Sequence, residues 1–343
     1  MAGRTLTSQS NSPIVLIAEI GVNHDGSLDR AHQMVEAVAA AGFDYVKFQY
    51  WIDDELFAED VPAPPYQQVT SQREMAAPLW LSVSSLEMLH RQASALGIGF
   101  GVTPDGPRAL LEVKELSPSF IKVGSGDADN PWLLEEALNC HCPIVISTGM
   151  MDDSELFMML GRVSHNKNTT FLHCISAYPT LVREANLHRL RRIKVATGRP
   201  VGFSDHTIGI VASAGAIAMG AEVIEKHVTW STTAKGPDHS CSLPLAQAAE
   251  WVGSLREMAE GLVAPSLAKE EAVNKRFVRK ALYARRPITA GDRVVLDDLC
   301  ALRPLEDGIP ANQRDRIIGR AVRQEVAQGQ RLRWSDFLPK ETT

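Results

Sequence analysis

Eight short apolar runs, rich in β-branched residues and mostly separated by helical patterns, constrain this chain more than any other feature. They are Ile14–Ile20, Tyr45–Gln49, Ile98–Thr103, Phe120–Gly124, Ile144–Ser147, Thr170–Cys174, Val201–Ser204 and Val223–Val228. Most lack strict polar alternation, as strands of a parallel sheet covered on both faces do. Between them, Leu28–Ala41 sets Leu28, Ala31, Met34, Val35 and Val38 at helical spacing and stops at Gly42, a C-cap signal. Leu86–Leu96, Ala109–Leu116, Leu133–Leu138 and Ile210–Met219 repeat that pattern. Eight β/α alternations predict an α/β fold, a closed (β/α)8 TIM barrel. A doubly wound open sheet is second, because it rarely needs eight parallel strands.

Two segments break the rhythm. Trp51–Ser85 is a long excursion holding Pro62, Pro64, Pro65 and Pro78, expected over the carboxyl mouth of the barrel. After a helical pattern at Leu245–Leu262, Val263–Arg276 is polar and reads as a linker. From Arg279 short strands alternate with Gly and Asp turns, and Ile288-Thr289-Ala290-Gly291 is echoed by Val326-Ala327-Gln328-Gly329. The expected organisation is a barrel over 1–262, a linker over 263–278 and a small β-rich module over 279–343.

Composition removes several classes. Of 343 residues, 45% are hydrophobic and 22% charged, as in a soluble globular protein. No run reaches the roughly 20 apolar residues needed to cross a membrane. The polar N-terminus shows no secretory leader, so a cytoplasmic protein is expected. A net charge of −6 without a long basic run argues against nucleic acid or anionic membrane as partner. A small phosphorylated ligand stays open, because its cradle is local. Of five cysteines (Cys140, Cys142, Cys174, Cys241, Cys300) only Cys140 and Cys142 are near neighbours, and reduced structural thiols suit that pattern better than zinc.

In a barrel the carboxyl ends of the strands face the active site. In order they carry Glu19, Lys47 with Gln49, Thr103, Lys122 with Ser125 and Asp127, Ser147, His173 with Ser176 and Tyr178, Ser204 with His206, and His227. Lys47 and Lys122 each sit inside an apolar strand. They read either as snorkelling side chains or as a cation pair for an anion carrying carboxylate and phosphate, with Ser125, Ser147 and Ser204 as neutral donors. His206 and His227 end neighbouring strands and suit a divalent metal such as manganese or magnesium, with Asp205 and Glu225 as partners behind them. His173 reads either as structural, facing inward below the site, or as part of it. His24, His32, His90, His141, His165 and His188 are expected on the surface. Asp238, in Gly236-Pro237-Asp238-His239, belongs either to an ordinary turn or to the mouth, where it meets substrate hydroxyls. Glu19 suits an acid/base or a water-positioning role.

Together these strings resemble the N-acetylneuraminate (sialic acid) synthase family. They are Ile17-Ala18-Glu19-Ile20-Gly21-Val22-Asn23-His24-Asp25-Gly26-Ser27, Val46-Lys47-Phe48-Gln49, Ile121-Lys122-Val123-Gly124-Ser125-Gly126, Ser147-Thr148-Gly149-Met150, Gly202-Phe203-Ser204-Asp205-His206-Thr207, Glu225-Lys226-His227 and Gly236-Pro237-Asp238. The resemblance runs from about residue 14 to 338, and the C-terminal module looks like that family's antifreeze-like (SAF) domain. It implies a transferase that condenses phosphoenolpyruvate with an N-acylmannosamine-type sugar, using manganese or a similar divalent ion (magnesium or cobalt). It implies His206 and His227 as metal ligands. Lys47, Thr103, Lys122, Ser125, Ser147, Ser176 and Ser204 would surround phosphoenolpyruvate, and Glu19, Gln49, Asp127, Tyr178 and Asp238 would serve the metal water and the sugar. It further implies a homodimer in which the SAF domain crosses to the partner's barrel, with Arg303 reaching the sugar and Phe277 as an aromatic neighbour.

Two positions depart from the family pattern. Asp127 stands where Glu is usual, and Ser176 where some members carry Asn, so the acceptor could differ from N-acetylmannosamine. A bacillosamine-derived 6-deoxy sugar or a spore-coat or antibiotic precursor would suit as well. The alternatives are another phosphoenolpyruvate–aldose condensing barrel, which would need a second phosphate-binding cluster, and an inactive sugar-binding homologue.

Overall fold

In the computed structural model each of the eight apolar runs is a strand: β1 (Val15–Gly21), β2 (Tyr45–Trp51), β3 (Gly99–Asp105), β4 (Phe120–Val123), β5 (Ile144–Ser147), β6 (Thr169–Cys174), β7 (Val201–Asp205) and β8 (Val223–Thr229). Residues 6–8, 12–58, 61–62, 71–163, 166–263, 265–303 and 308–339 are described. Each strand pairs in parallel with the next, and β1 pairs with β8. The sheet therefore closes into a (β/α)8 barrel, and the open-sheet alternative falls.

Closure gives every strand two buried faces, which is why the runs are apolar throughout. The outer face packs on helices α1 (Leu28–Ala41), α2 (Val83–Ala95), α3 (Pro107–Lys114), α4 (Pro131–Leu138), α5 (Asp153–Val163), α6 (His188–Thr197), α7 (Val211–Ala218) and α8 (Ala248–Leu262). Ser27 caps α1 by accepting from the Arg30 amide, and Gly42 ends it at φ 87°. Helices α5 and α6 were not expected from the sequence. In the second, five of ten residues are Arg, Lys or His, leaving Leu190 and Ile193 as its buried face.

The inner face is layered. At the bottom Val15, Ile17, Tyr45, Phe120, Val145, Leu172 and Val223 form one apolar cluster, closed from below by Leu6. Gly101 on β3 makes room for it, since a Cβ there would lie 2.2 Å from the Phe120 ring. Two residues further along each strand the chemistry changes to Glu19, Lys47, Thr103, Lys122, Ser147, Cys174, Ser204 and Glu225. The strand period of two thus stacks a polar layer directly on an apolar plug.

The excursion after β2 holds short helices at Asp53–Leu56 and Gln72–Ala76. Its Phe57 and Leu79 pack with Trp51 and with Val22, which follows β1, so the described part lies at the carboxyl end of the barrel. Pro64 and Pro65 fall outside the described residues. Glu55 accepts from the Arg108 and Ala109 amides at 2.8 and 3.0 Å, satisfying the N-terminus of α3.

The chain divides into two compact units, Met1–Val263 and Ala264–Thr343. Within the expected linker, Lys269–Val278 is a helix, α9, with acidic residues in its first turn and basic ones in its last. None of its residues is buried, and without an apolar stripe the sequence offered no helical period to read. The second unit pairs β9 (Ala281–Ala284) antiparallel with β10 (Leu299–Leu302) and is built from two similar halves. Ile288 and Val326 exchange both backbone hydrogen bonds. Asp298 accepts from the Val295 amide as Asp336 accepts from that of Arg333.

Candidate active site

The polar layer is a network of opposite charges that burial would otherwise forbid. Lys47 Nζ lies 2.5 Å from Glu19 Oε2 and donates to Thr103 Oγ1 at 2.7 Å. Glu225 stands between the two lysines, its Oε2 3.7 Å from Lys47 Nζ and its Oε1 3.6 Å from Lys122 Nζ. Ser204 Oγ donates to Glu225 Oε1 at 2.7 Å, and Gln49 Nε2 to Glu19 Oε1 at 3.2 Å. Lys47, Lys122, Glu19 and Glu225 are all at least 95% buried. A snorkelling reading of the lysines is therefore wrong, because their ammonium groups point into the barrel.

The two carboxylates respond oppositely. Burial pushes Glu19 up to about 7, with Lys47 opposing and Glu225 reinforcing the rise. Burial would raise Glu225 too, but Lys122, Lys47 and the Ser204 hydroxyl outweigh it and hold it near 2. Glu225 is thus the fixed anion of the cluster and Glu19 the group poised to exchange a proton near neutrality.

Above Glu225 the two strand-end histidines face each other with ring centroids 5.5 Å apart. His206 Nδ1 lies 2.7 Å from the Ile175 carbonyl, which can only accept. The proton is therefore assigned to Nδ1, leaving a lone pair on Nε2. His227 Nδ1 is buried without a hydrogen-bond partner, 3.5 Å from Asp238 Oδ2. Burial lowers both imidazoles, and for His227 the nearby His206 adds to the effect. Two imidazoles held neutral by burial, His206 with its Nε2 3.3 Å from Ser204 Oγ and His227 with an unpartnered Nδ1, lie beside a half-buried Asp238 and form a donor set that fits a divalent metal. No group of three or more His, Cys, Asp or Glu that could hold a metal occurs among the described residues, so water or substrate oxygens would complete the shell. Tyr178 stacks on His206 at 4.2 Å between centroids and meets His227 edge-on at 6.0 Å.

Next to the lysines a hydroxyl-lined hollow surrounds Gly149. A Cβ there would meet Ser176 Oγ at 2.4 Å, Ser125 Oγ at 2.7 Å and Cys174 Sγ at 2.8 Å. The Gly149 amide donates to Ser125 Oγ at 3.1 Å. Glycine lets two hydroxyls converge beside its backbone, with its own amide holding Ser125 in place, a shape that suits phosphate or carboxylate oxygens.

The structure brings Glu19, Lys47, Gln49, Thr103, Lys122, Ser204, His206, His227, Asp238 and Tyr178 into one connected cluster. Ser125 and Ser176 line the Gly149 hollow, and buried Ser147 ends β5 two positions before it. Asp127 lies after β4, where its Oδ1 accepts from Asn130. Phe277 on α9 and Arg303 just after β10 are exposed residues of the second unit.

Three expectations need correction. Asp205 does not stand behind His206: it points outward to Lys226, at 3.2 Å, and to Ser213. His173 is not inward-facing: the strand period turns it to the helical side, where Nε2 meets the Ala185 carbonyl at 2.8 Å. His24 is buried rather than on the surface, its Nδ1 accepting from the Gly26 amide at 3.0 Å. His165 lies outside the described residues. Two site residues were missed, Cys174 and Asp105. Both follow from carrying the period of two one step beyond Leu172 and Thr103.

Comparison with known proteins gives a consistent placement. The NeuB family profile matches residues 34–264, and the SAF domain profile matches residues 279–338. The N,N'-diacetyllegionaminic acid synthase of Legionella pneumophila is 32% identical over 95% of both chains. The N-acetylneuraminate-9-phosphate synthase of Homo sapiens is 34% identical over 90% of this chain and 89% of its own. A crystal structure of the N-acetylneuraminic acid (sialic acid) synthetase of Leptospira borgpetersenii, in complex with citrate, superposes with a TM-score of 0.71. It is 28% identical and covers 80% of this chain and 96% of its own.

Proposed function

The chain belongs to the NeuB family with a C-terminal SAF domain, and from that premise we propose that it condenses phosphoenolpyruvate with an N-acylmannosamine-type amino sugar, giving a nonulosonic acid and phosphate. The observation that carries the reading is the buried Lys47–Glu225–Lys122 cluster opening onto the Gly149 hollow. Glu225 offsets one of the two cations, and protonation of Glu19, whose pKa lies near 7, leaves the other to meet a multiply charged anion.

In this reading Lys47, Thr103 and Lys122 hold phosphoenolpyruvate from below, and Ser125, Ser147, Ser176 and Ser204 hold it from the side. His206 and His227 would hold a divalent ion, with manganese our first choice, which when bound would polarise the acceptor aldehyde. The enol C3 of phosphoenolpyruvate bonds to the aldehyde carbon, whose oxygen takes up a proton. Water then adds at C2 and loses one proton, and phosphate leaves with its bridging oxygen, taking the proton of the C2 hydroxyl, so that C2 becomes a ketone. Glu19 exchanges the proton of that water at its carboxylate. Gln49, Asp127, Tyr178 and Asp238 orient the sugar.

We propose further that the working unit is a cytoplasmic homodimer in which the SAF domain, with Arg303 and Phe277, completes the partner's site. Charge supports this: residues 264–343 carry sixteen Lys and Arg against eleven Asp and Glu, a formal +5, whereas residues 1–263 carry nineteen against thirty, a formal −11. A test offers phosphoenolpyruvate with a panel of N-acylated amino aldoses, with and without a chelator, and identifies products by mass. A product weighing acceptor plus one pyruvate, lost on chelation and restored by manganese, is expected. Phosphoenolpyruvate left intact with every acceptor would refute the proposal.

A further inference from the structure

The relatives divide on one chemical point that overall identity does not decide. Relatives named legionaminic acid synthases are 32% identical to this chain, and those named N-acetylneuraminate-9-phosphate synthases are 32–34% identical. Whether the acceptor here carries a phosphate must be read from the site itself.

Asp105 ends β3, and its side chain continues the inward row of Gly101 and Thr103, one pleat above the hydroxyl that binds Lys47. Its carboxylate is half-buried and makes no hydrogen bond or ion pair among the described residues. Asp127 follows β4, the neighbouring strand. In a closed barrel of eight strands, β3 stands opposite β7 and β4 opposite β8, the strands that bring His206 and His227. A sugar whose aldehyde lies at the histidine pair therefore turns its far end toward Asp105 and Asp127.

Among the described residues of the barrel itself, that side of the mouth shows no unpaired cation to meet a phosphate. Lys122 belongs to the layer below, shared with Glu225. Arg108 at the start of α3 is paired with Asp54, and Arg73 of the excursion with Asp53. Lys235 is exposed on the loop after β8, across the barrel. The site already disfavours negative charge: burial and then Asp127 push Asp105 up to about 7, and burial raises Asp127. A phosphate monoester set there would add a dianion to a place where burial already makes negative charge costly.

Building on the synthase reading, we propose that Asp105 is a specificity-determining residue, which with Asp127 receives hydroxyl or N–H donors at the far end of an acceptor that carries no phosphate. The carboxylates accept hydrogen bonds from neutral donors and repel an anionic terminus, so one pair both selects and excludes.

The test uses the full chain and offers each N-acylated amino aldose free and as its phosphate monoester, following phosphate release from phosphoenolpyruvate. The free acceptor is expected to exceed its monoester in kcat/KM by at least about a hundredfold, the scale of a like-charge clash. Asp105→Asn keeps the shape but removes the charge. It should raise the free acceptor's KM about tenfold, leave the KM for phosphoenolpyruvate within about twofold, and narrow the preference against the monoester. Equal or better turnover of the monoester overturns this inference and leaves the synthase reading standing. So does an Asp105→Asn variant that moves the phosphoenolpyruvate KM instead. Phosphoenolpyruvate consumption with neither form of any acceptor overturns both.

Discussion

Replacing Glu225 by Gln removes the anion that lets two lysines share the barrel interior. At 3.6 and 3.7 Å, each lysine gains about 4 to 5 kcal/mol from Glu225 at an effective dielectric of about 20. Lys47 keeps Glu19 at 2.5 Å, and desolvation of a carboxylate is no longer required. The net loss should therefore resemble that of a broken buried pair, about 3–5 kcal/mol. For a unit of this size that lowers the melting temperature by roughly 10 °C. The assay is denaturation of Glu225→Gln with and without phosphoenolpyruvate. The ligand supplies the missing negative charge, so at equal free ligand concentration it should stabilise the variant more than the wild type. Lys122→Met in the same background removes the cation left unpaired, and the double variant should be less destabilised than the sum of the single ones. A cost below about 1 kcal/mol, or strict additivity, would show that the cluster is not a coupled electrostatic unit.

Three further outcomes follow from the same geometry. His173 is neutral in the fold, its pKa lowered from 6.5 to about 4 by burial, so the unfolded chain takes the proton first. Stability is complete above pH 6.5 and falls as pH drops toward 4, by about 2 kcal/mol at pH 5. Denaturation at pH 7.5 and 5 should show a loss, and His173→Phe should reduce it by about 2 kcal/mol, the remainder belonging to His24 and the other buried imidazoles. Gly149→Ala fills the hollow between Ser125, Ser176 and Cys174, and should raise the KM for phosphoenolpyruvate by roughly ten- to a hundredfold, with little change in the KM of the sugar. Mixed dimers of Arg303→Ala with Lys122→Met should regain up to half of the wild-type sites if the second unit works in trans. Confirmed mixed dimers without activity would place Arg303 in cis or outside the reaction.

The barrel was legible because closure buries both faces of every strand, and buried strands cannot hide their apolar runs. The excursion and the linker were less so, since short helices such as Gln72–Ala76 and the fully exposed α9 carry no periodic apolar face. In the site, residue type and position at a strand end were readable, but direction was not. His173 lies on β6 and Asp205 closes β7, yet both point to the helical side, because a strand turns alternate residues outward. Carried through each strand, the same rule would have found Cys174 and Asp105 and moved Glu225 from behind the histidines to between the lysines. His24 was misread because its burial depends on the packing of loops around β1, which no local pattern records.

The central claim is that this site makes a carbon–carbon bond and breaks the bond between C2 and the bridging oxygen of phosphoenolpyruvate. Phosphoenolpyruvate labelled with heavy oxygen at that bridge measures it directly. The account predicts that released phosphate carries the label and forms only when the amino-sugar acceptor is present. Unlabelled phosphate would mean that the phosphorus–oxygen bond is cut, and phosphate released at the same rate without acceptor would mean hydrolysis without carbon–carbon bond formation; either would contradict it.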